Sequence, residues 1–589
     1  MEVLFFTPHA ALWPHTAPEA YLARALAEYG HEIRYLSCGK AQSYCSVMTA
    51  RRIPAGGAAE TRHRVCSDCT AAAAAIARVY RFPLDMLIDF ISAEERAACE
   101  ATAARAVAAR SLDTTSMGLN IGRIALYEFT LTHKKMSTDL TETQWEEYGI
   151  ILANALVSLT AFAAHLRKHR PQAIVAFSPQ YSNINSCMQH AIKQGVRVLF
   201  IESGTNLSHR LGTMRVWDWK VHKLVNPALT YWGSSSDNPL TAEAAASVTG
   251  HFRQLLTGSH FAVFSAPYAG TRGIRERWGI KPGQRVLLLT LSSYDEAYAA
   301  LLIGAFPEQK VFSDVFRTQA DWLRATIQWA ASRPDLFVVI RVHPRDFPNK
   351  RESFRSEQSY MLEDLLADTP SNVHVNWPGE NVSLYELLED TDAVLTGWSV
   401  TAMEALVLGI PVVTYDARLP SYPPDIMYTG RSADEYFDNI DRALSDGWRL
   451  ENAVNGFRWL GYNFVTCTTP VSQTFGRQES RQISYIGRLW MRIKGRFPQL
   501  DNSIDLLNWR DALPGAQFVS DMLERGYDAL PPAKRARLGN PATTDDLATV
   551  MAGLKELHDM LNASAPLPDD KPGLSRNIRR ALANNGVAP

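Results

Sequence analysis

The sequence predicts an α/β chain built from two doubly wound, Rossmann-like halves. Three observations carry that expectation. Short apolar runs alternate with helix-periodic segments, the β-α-β rhythm of a parallel sheet. Several runs are almost wholly apolar, Val286–Leu291 (VLLLTL, with one Thr) above all, as suits strands covered by helices on both faces. The rhythm also occurs twice, with a join near residues 255–282.

In the first half, Val3–Phe6 is a short strand and a loop rich in His and Pro follows it. Pro18–Tyr29 (PEAYLARALAEY) has helical periodicity and stops at Gly30, and His31–Ser37 is the next strand. Residues from about Thr70 to Arg110 are Ala-rich and helical by propensity. Trp145–Arg170 is one long amphipathic helix. Pro171 then precedes the strand Ala173–Phe177, and a helix leads to the strand Val196–Ile201. In the second half the strands are Val286–Leu291, Leu336–Val342, Val373–Asn376, Ala393–Thr396 and Pro411–Tyr415. Phe312–Ser332, Ser383–Glu389 and Thr401–Leu408 are the helices between them, the last closed by Gly409. The expected units are a first Rossmann-like domain over 1–260 with a helical insertion over about 70–165, a second over 261–435, a helical extension over 436–565, and a mobile tail over 566–589, rich in Pro, Asp and Asn.

Composition narrows the function. The 589 residues are 46% hydrophobic and 21% charged, which is ordinary globular usage. Lys and Arg number 60 against 61 Asp and Glu, a net charge of −1, so no global field steers the chain to nucleic acid. The start, MEVLFFTPHAALWPH, has no positive n-region, and the longer helical runs are broken by polar residues. The expectation is a cytoplasmic protein. Arg481–Phe497 interleaves Arg481, Arg488, Arg492, Lys494 and Arg496 with Ile486, Leu489, Trp490, Ile493 and Phe497. Such a helix either lies peripherally on the inner face of an anionic membrane or packs its apolar face on the protein.

Several fingerprints are absent. No G-x-G-x-x-G follows the first strand, no G-x-x-x-x-G-K-[ST] occurs, and neither H-E-x-x-H nor G-x-S-x-G appears. Dinucleotide enzymes and ordinary ATPases are disfavoured, and nucleotide-sugar enzymes remain a strong class.

The sharpest motif is Gly397–Asp416, GWSVTAMEALVLGIPVVTYD. A strand delivers the chain into a turn with Ser399 and Thr401, and a helix carrying Glu404 begins there. Hydroxyls, unpaired amides and a nearby carboxylate make a cradle for phosphate and ribose; a plain helix cap is the alternative. The second motif is Arg341-Val342-His343-Pro344-Arg345 at a strand end. His343 can donate to a phosphate oxygen, Pro344 fixes the turn, and Arg341 and Arg345 add cationic donors. The third is Ser292-Ser293-Tyr294-Asp295-Glu296, where Ser292 and Ser293 could meet a donor phosphate and Asp295 or Glu296 act as base or as a cap. In the first half, Ile201-Glu202-Ser203-Gly204 follows a strand, and Glu202 is a candidate base. His9 follows the first strand, and Ser182, Asn183 and Asn185 offer groups for acceptor hydroxyls.

The Gly397–Asp416 stretch resembles the donor-binding motif of GT-B glycosyltransferases, in particular bacterial capsule polysaccharide biosynthesis proteins, including the Kdo transferases, and polyglycerolphosphate transferases. The His343-Pro344 step resembles the HP motif of the sialyl- and Kdo-type members. Glu202-Ser203-Gly204 resembles the E-x-G turn of the capsule-type relatives, and Gly456-Phe457-Arg458-Trp459 resembles their downstream segment. The resemblance implies two domains facing a cleft and no cofactor required for catalysis. The donor, a CMP-, UDP- or GDP-linked sugar, would sit on the second domain and be held by Ser292, Ser293, Arg341, His343, Pro344, Arg345, Ser399, Thr401 and Glu404. Catalysis would fall to Glu202, Asp295, Glu296 or His9, since some inverting members keep a His at that place, on a glycan or lipid-linked acceptor. Alternatives are a GT-B-fold epimerase, a polyol-phosphate transferase, or a non-catalytic scaffold of a glycan assembly complex.

The seven cysteines are read as reduced thiols. Cys66 and Cys69 form a C-x2-C pair that, with Cys38 and Cys45, suits a structural zinc or iron–sulfur group; the alternative is buried cysteines without metal.

Overall fold

The computed structural model describes residues 1–222, 226–233, 239–258, 260, 262–269, 273–349, 354–471, 515–539, 545–563 and 573–588. The basic stretch 481–497 lies outside the described residues. The first sheet contains β1 (Glu2–Thr7), β2 (Glu32–Ser37), β3 (Leu84–Met86), β6 (Ala173–Phe177), β7 (Arg197–Ser203), β8 (Thr213–Asp218) and β15 (Thr469–Pro470). A separate hairpin pairs β4 (Thr115–Ser116) with β5 (Leu119–Asn120). The second sheet contains β9 (Arg285–Thr290), β10 (Leu336–Arg341), β11 (Val373–Asn376), β12 (Ala393–Thr396), β13 (Val412–Thr414) and β14 (Tyr428–Thr429).

Strand order defines the architecture. The second sheet runs β11-β10-β9-β12-β13-β14, all parallel, which is the doubly wound order 3-2-1-4-5-6. The first runs β15-β8-β7-β6-β1-β2-β3, with β3-β2-β1-β6-β7 parallel and β8 and β15 antiparallel beyond them. Both domains are therefore Rossmann-like, and in each the order reverses beside the first strand, between β1 and β6 and between β9 and β12.

The apolar runs form strands because both faces are covered. In β9, Val286 and Leu288 enter one core cluster while Leu287 and Leu289 enter the cluster on the opposite face. In β1, Val3 and Phe5 separate from Leu4 and Phe6 in the same way. Thr141 and Gln144 close a capping box that starts the long helix Glu142–His169, and Arg170 in the left-handed region ends it. It is the only described helix long and apolar enough to cross a membrane, and most of its apolar window is buried inside the protein as a core helix.

Four parts differ from the sequence reading. The Ala-rich stretch is two helices, Ala59–Tyr80 and Ala93–Ala108, separated by the edge strand β3. Arg81 takes a left-handed conformation, and the Pro83 carbonyl accepts from the Tyr35 amide at 2.8 Å, which turns the chain onto the sheet. Ala242–Thr257, expected in the first domain, packs Val248 and Phe252 into the core of the second. The chain after 435 is not one extension. Tyr436 and Ile440 complete the second core, Val519 and Met522 return to the first, and Leu554 goes back to the second. In place of a mobile tail, Leu574–Asn584 is a helix with Ile578 and Leu582 fully buried. Its start is anchored by Ser575, whose amide and hydroxyl donate to Glu389 at 3.1 and 2.9 Å.

The insertion of the first domain clasps the second. Helix Leu126–His133 lays Tyr127 and Leu131 against Ala299, Ala300 and Ile303, and Met136 packs beside Tyr294 and Trp398. Lys134, almost wholly buried, donates to the carbonyls of Arg345 at 2.5 Å and Phe354 at 2.9 Å. The Met136 amide donates to Glu357 at 2.7 Å. Lys134→Met keeps the stem and strands the buried Arg345 carbonyl and the half-buried Phe354 carbonyl, so it is expected to cost about 2–4 kcal/mol. A denaturant midpoint equal to that of the unsubstituted chain would show that the clasp carries no energy.

Candidate functional site

The exits of β9, β10 and β12 bring most of the donor-side candidates to one edge of the second sheet. Ser292 and Ser293 follow β9, His343 follows β10, and Ser399, Thr401 and Glu404 follow β12. The first and last groups flank the reversal of strand order, where open α/β sheets bind ligands.

His343 is poised as a neutral donor. Its Nδ1 accepts from the Arg345 amide at 3.2 Å and lies 3.2 Å from Ser293 Oγ. Burial lowers its pKa to about 3, helped by Arg345, Arg341 and Lys134, so the ring is uncharged at neutral pH. With Nδ1 accepting, the ring proton is assigned to Nε2, which can donate.

The Gly397–Thr401 turn is a self-bonded cap. Ser399 Oγ accepts from the Thr401 amide at 3.4 Å and lies 3.2 Å from Thr401 Oγ1. The Ser399 amide donates to Thr396, and its carbonyl accepts from Tyr422 at 2.8 Å. Capping and ligand binding are both available to these hydroxyls. Val400 between them is 70% exposed, which marks the mouth of the turn. Glu404 lies deeper. Tyr385 OH donates to its Oε2 at 2.5 Å, and burial raises the carboxyl to about 7 against the lowering by Tyr385 and Arg341. A buried carboxyl titrating near neutrality at a strand exit is the placement expected of a functional acid.

Other donor-side candidates are committed within the protein. Arg341 donates to Asn376 and to the Val382 carbonyl, each at 3.1 Å, and to Ser265 at 3.1 Å. It braces the strand end, and burial lowers its pKa to about 10. Arg345 Nη1 reaches both oxygens of Asp295 at 2.6 Å inside the protein, so Asp295 is the partner of a buried cation. The Ser292 amide donates to Gln319 and its carbonyl accepts from Gln319 and Gln358. Those backbone groups are taken, and the Ser293 hydroxyl faces His343. Pro344 opens the short turn that presents His343. Glu296 is largely exposed, 3.5 Å from Arg345 Nε.

On the first sheet, Glu202 is near the end of β7 and paired in register with Arg215. Burial raises its pKa, opposed by Arg215 and Arg210. Gly204 is required by packing, since a Cβ there would sit 2.1 Å from Thr213 Oγ1. His9 is buried after β1, with Nε2 3.5 Å from Glu19 Oε2. His15 stacks on Phe177 beside it, and burial, then His9 and Arg210, lower His15 to about 3. Ser182, Asn183 and Asn185 are buried, and their polar groups bond within the chain. The Ser182 amide and hydroxyl donate to Glu128, the Asn183 oxygen accepts from the Ile184 amide, and Asn185 donates to the Pro179 carbonyl at 2.7 Å.

Cys66 and Cys69 are on helix Ala59–Tyr80, and Cys69 packs with Val47, Met48 and Val65. Burial raises the thiol pKa values of Cys38, Cys45, Cys66 and Cys69, those of Cys38 and Cys45 to about 12 and about 11. No three of their sulfurs gather within 4.8 Å of one another. Among the described residues, one group of His, Cys, Asp or Glu ligand atoms is that close, and it contains no cysteine.

Tyr385, Glu19, Gln319, Gln358 and Lys134 were not marked from the sequence. None belongs to a motif; each acts through a neighbour that only the tertiary fold supplies.

No family model and no curated protein matches the chain. Solved structures do align with it. A UDP-GlcNAc 2-epimerase from Neisseria meningitidis bound to UDP-GlcNAc shares 12% identity over 79% of this chain and 97% of its own, with a TM-score of 0.23. The beta Kdo 2,4 transferase KpsC from Thermosulfurimonas dismutans shares 15% identity over 52% of this chain and 84% of its own, with a TM-score of 0.31. A UDP-GlcNAc 2-epimerase from Methanocaldococcus jannaschii shares 13% identity over 79% of this chain and 98% of its own, with a TM-score of 0.24. These TM-scores are low, and the two-Rossmann architecture stands on the chain's own strand order.

Proposed function

We propose that this chain transfers a sugar from a nucleotide-activated donor to a surface-polysaccharide or glycolipid acceptor in the cytoplasm. The observation that carries the reading is the placement of His343, Ser293 and the Ser399–Thr401–Glu404 group at the adjacent exits of β10, β9 and β12, beside the reversal of strand order. The donor, a CMP-, UDP- or GDP-linked sugar, has its phosphate against His343 Nε2–H and the Ser399 and Thr401 hydroxyls. Glu404 holds ribose hydroxyls, and Tyr385 orients it. Glu202 is the base, its pKa raised toward working pH. The acceptor oxygen attacks the anomeric carbon and its proton passes to Glu202. The bond from that carbon to the phosphate oxygen breaks, and the nucleotide leaves with the electron pair. His343 donates to the charge that develops there. The insertion, with Met136 beside Trp398, limits water at the site.

A melting screen against CMP, CDP, UDP and GDP tests this. One nucleotide is expected to raise the melting temperature of the unsubstituted chain by mass action, and His343→Ala to abolish the rise. Glu202→Gln is expected to keep that rise and lose transfer by about 10²–10⁴-fold in kcat. No stabilisation by any of the four, or full transfer by both variants, would sink the reading.

A further inference from the structure

Asp85 on β3 and His165 and His169 on the long helix meet at the outer edge of the first domain. The two histidines are four residues apart, which puts both rings on one helix face. His165 Nε2 is 3.0 Å and His169 Nε2 is 3.6 Å from the same oxygen, Asp85 Oδ2. All three ligand atoms lie within 4.8 Å of one another. Zinc bonds of about 2.0–2.2 Å at the tetrahedral angle put neighbouring ligand atoms about 3.4 Å apart, so the spacing brackets what one ion imposes. His169 Nε2 is buried and has no hydrogen-bond partner, although a carboxylate oxygen faces it. His165 is fully buried, and Phe90 stands edge-on to it at 4.8 Å and to His169 at 6.0 Å, an apolar wall beside a polar trio.

We infer that Asp85, His165 and His169 form a zinc site. Two imidazoles and a carboxylate are a ligand set that zinc accepts, and a water completes the tetrahedron from the side where His169 and Asp85 are partly exposed. The nitrogens can ligate: His169 Nε2 has no partner, and His165 gives up its contact with Asp85 by carrying its proton on Nδ1, which is buried without a partner. Arg34 Nη1 sits 3.1 Å from Asp85 Oδ2 and its Nε 3.4 Å from Glu2. Zinc takes Oδ2, and Arg34, on the exposed side, moves to Oδ1 or onto Glu2. Helix Glu142–His169 ends just before β6, and none of the three residues is among the candidate donor, acceptor or catalytic groups, so the ion is structural. It fastens the end of the long helix to β3, a three-residue edge strand held to the sheet only through β2.

The full-length chain, stripped with a chelator, dialysed and titrated with zinc chloride, tests the inference. One tight equivalent of zinc is expected, with a rise in melting temperature. His169→Gln, at the partly exposed helix end, and Asp85→Asn are each expected to weaken zinc more than about tenfold while melting like the metal-free parent. Cobalt in the same site is expected to give tetrahedral ligand-field bands without thiolate charge transfer. No zinc uptake by the parent, uptake unchanged in both variants, or a thiolate band with cobalt would overturn it.

Discussion

Gly456→Val is expected to be among the most damaging single changes in the second domain, although Gly456 touches no candidate ligand group. Helix Leu450–Gly461 crosses helix Thr401–Val407 backbone to backbone at this point. A Cβ on residue 456 would lie 2.5 Å from the Val407 amide nitrogen and 2.8 Å from Leu406 C and Val407 Cα. Those atoms belong to a buried helix and cannot rotate away as a side-chain tip would. The helices must separate, opening the core around Leu406, Phe457 and Leu460. Overpacking of this kind costs about 1–3 kcal/mol for a methyl group and more for a branched side chain. The helix that moves carries Glu404, so nucleotide-induced stabilisation is expected to fall with the denaturant midpoint. Gly56→Ala, where nothing lies within 4 Å, is the neutral control. A Gly456→Val protein with the parent's midpoint would show that the crossing is looser than its geometry says.

The same crossing shows what a sequence can and cannot disclose. Gly456-Phe457-Arg458-Trp459 stands out as a motif, but its reason, one helix lying on another, is a fact of three dimensions. The strands of the second domain are legible because burial on both faces leaves few polar residues, as in VLLLTL with its single Thr. β3 is not, because a three-residue edge strand between Pro83 and a short 3-10 turn has no room for a pattern. Ala242–Thr257 falls within the expected first domain, but which core it serves depends on Phe252 meeting Tyr385, far away in the chain. At the site, residue types at strand exits mark His343, Ser399 and Glu404. They do not distinguish a group left for a ligand from one already paired. Asp295 and Glu296 are neighbours in one helical turn, yet Arg345 buries the first while the second faces water. Asp85, His165 and His169 are eighty and four residues apart, and no local pattern joins them.

Glu404→Gln is expected to make the protein more stable at pH 8 and less active, a combination that a purely structural carboxyl would not give. The parent's Glu404 has a folded pKa raised by burial to about 7 from its ordinary value of 4.5. Between those values the folded state binds a proton that the unfolded state has released, so this group's contribution to stability falls as pH rises. The full drop is roughly 3 kcal/mol, complete once pH exceeds the folded pKa. Asp346, also raised by burial to about 7, adds a fall in the same window, so the difference between Glu404→Gln and the parent isolates Glu404. Gln retains an oxygen to accept from Tyr385 and never ionises, so its curve is expected to meet the parent's near pH 4.5 and stand above it at pH 8. Holding an ionised carboxylate there costs stability, and under the proposed function the ribose hydroxyls of the donor use that charge. The variant is therefore expected to lose about 10²–10³-fold in kcat/KM for transfer at pH 8. Denaturant midpoints from pH 5 to 8 and transfer rates at pH 8 check both halves. Equal stability curves would mean that Glu404 is not held above its ordinary range. Undiminished transfer in a stabilised variant would mean that the carboxylate does not touch the donor, and the nucleotide would have to be sought away from the β12 exit.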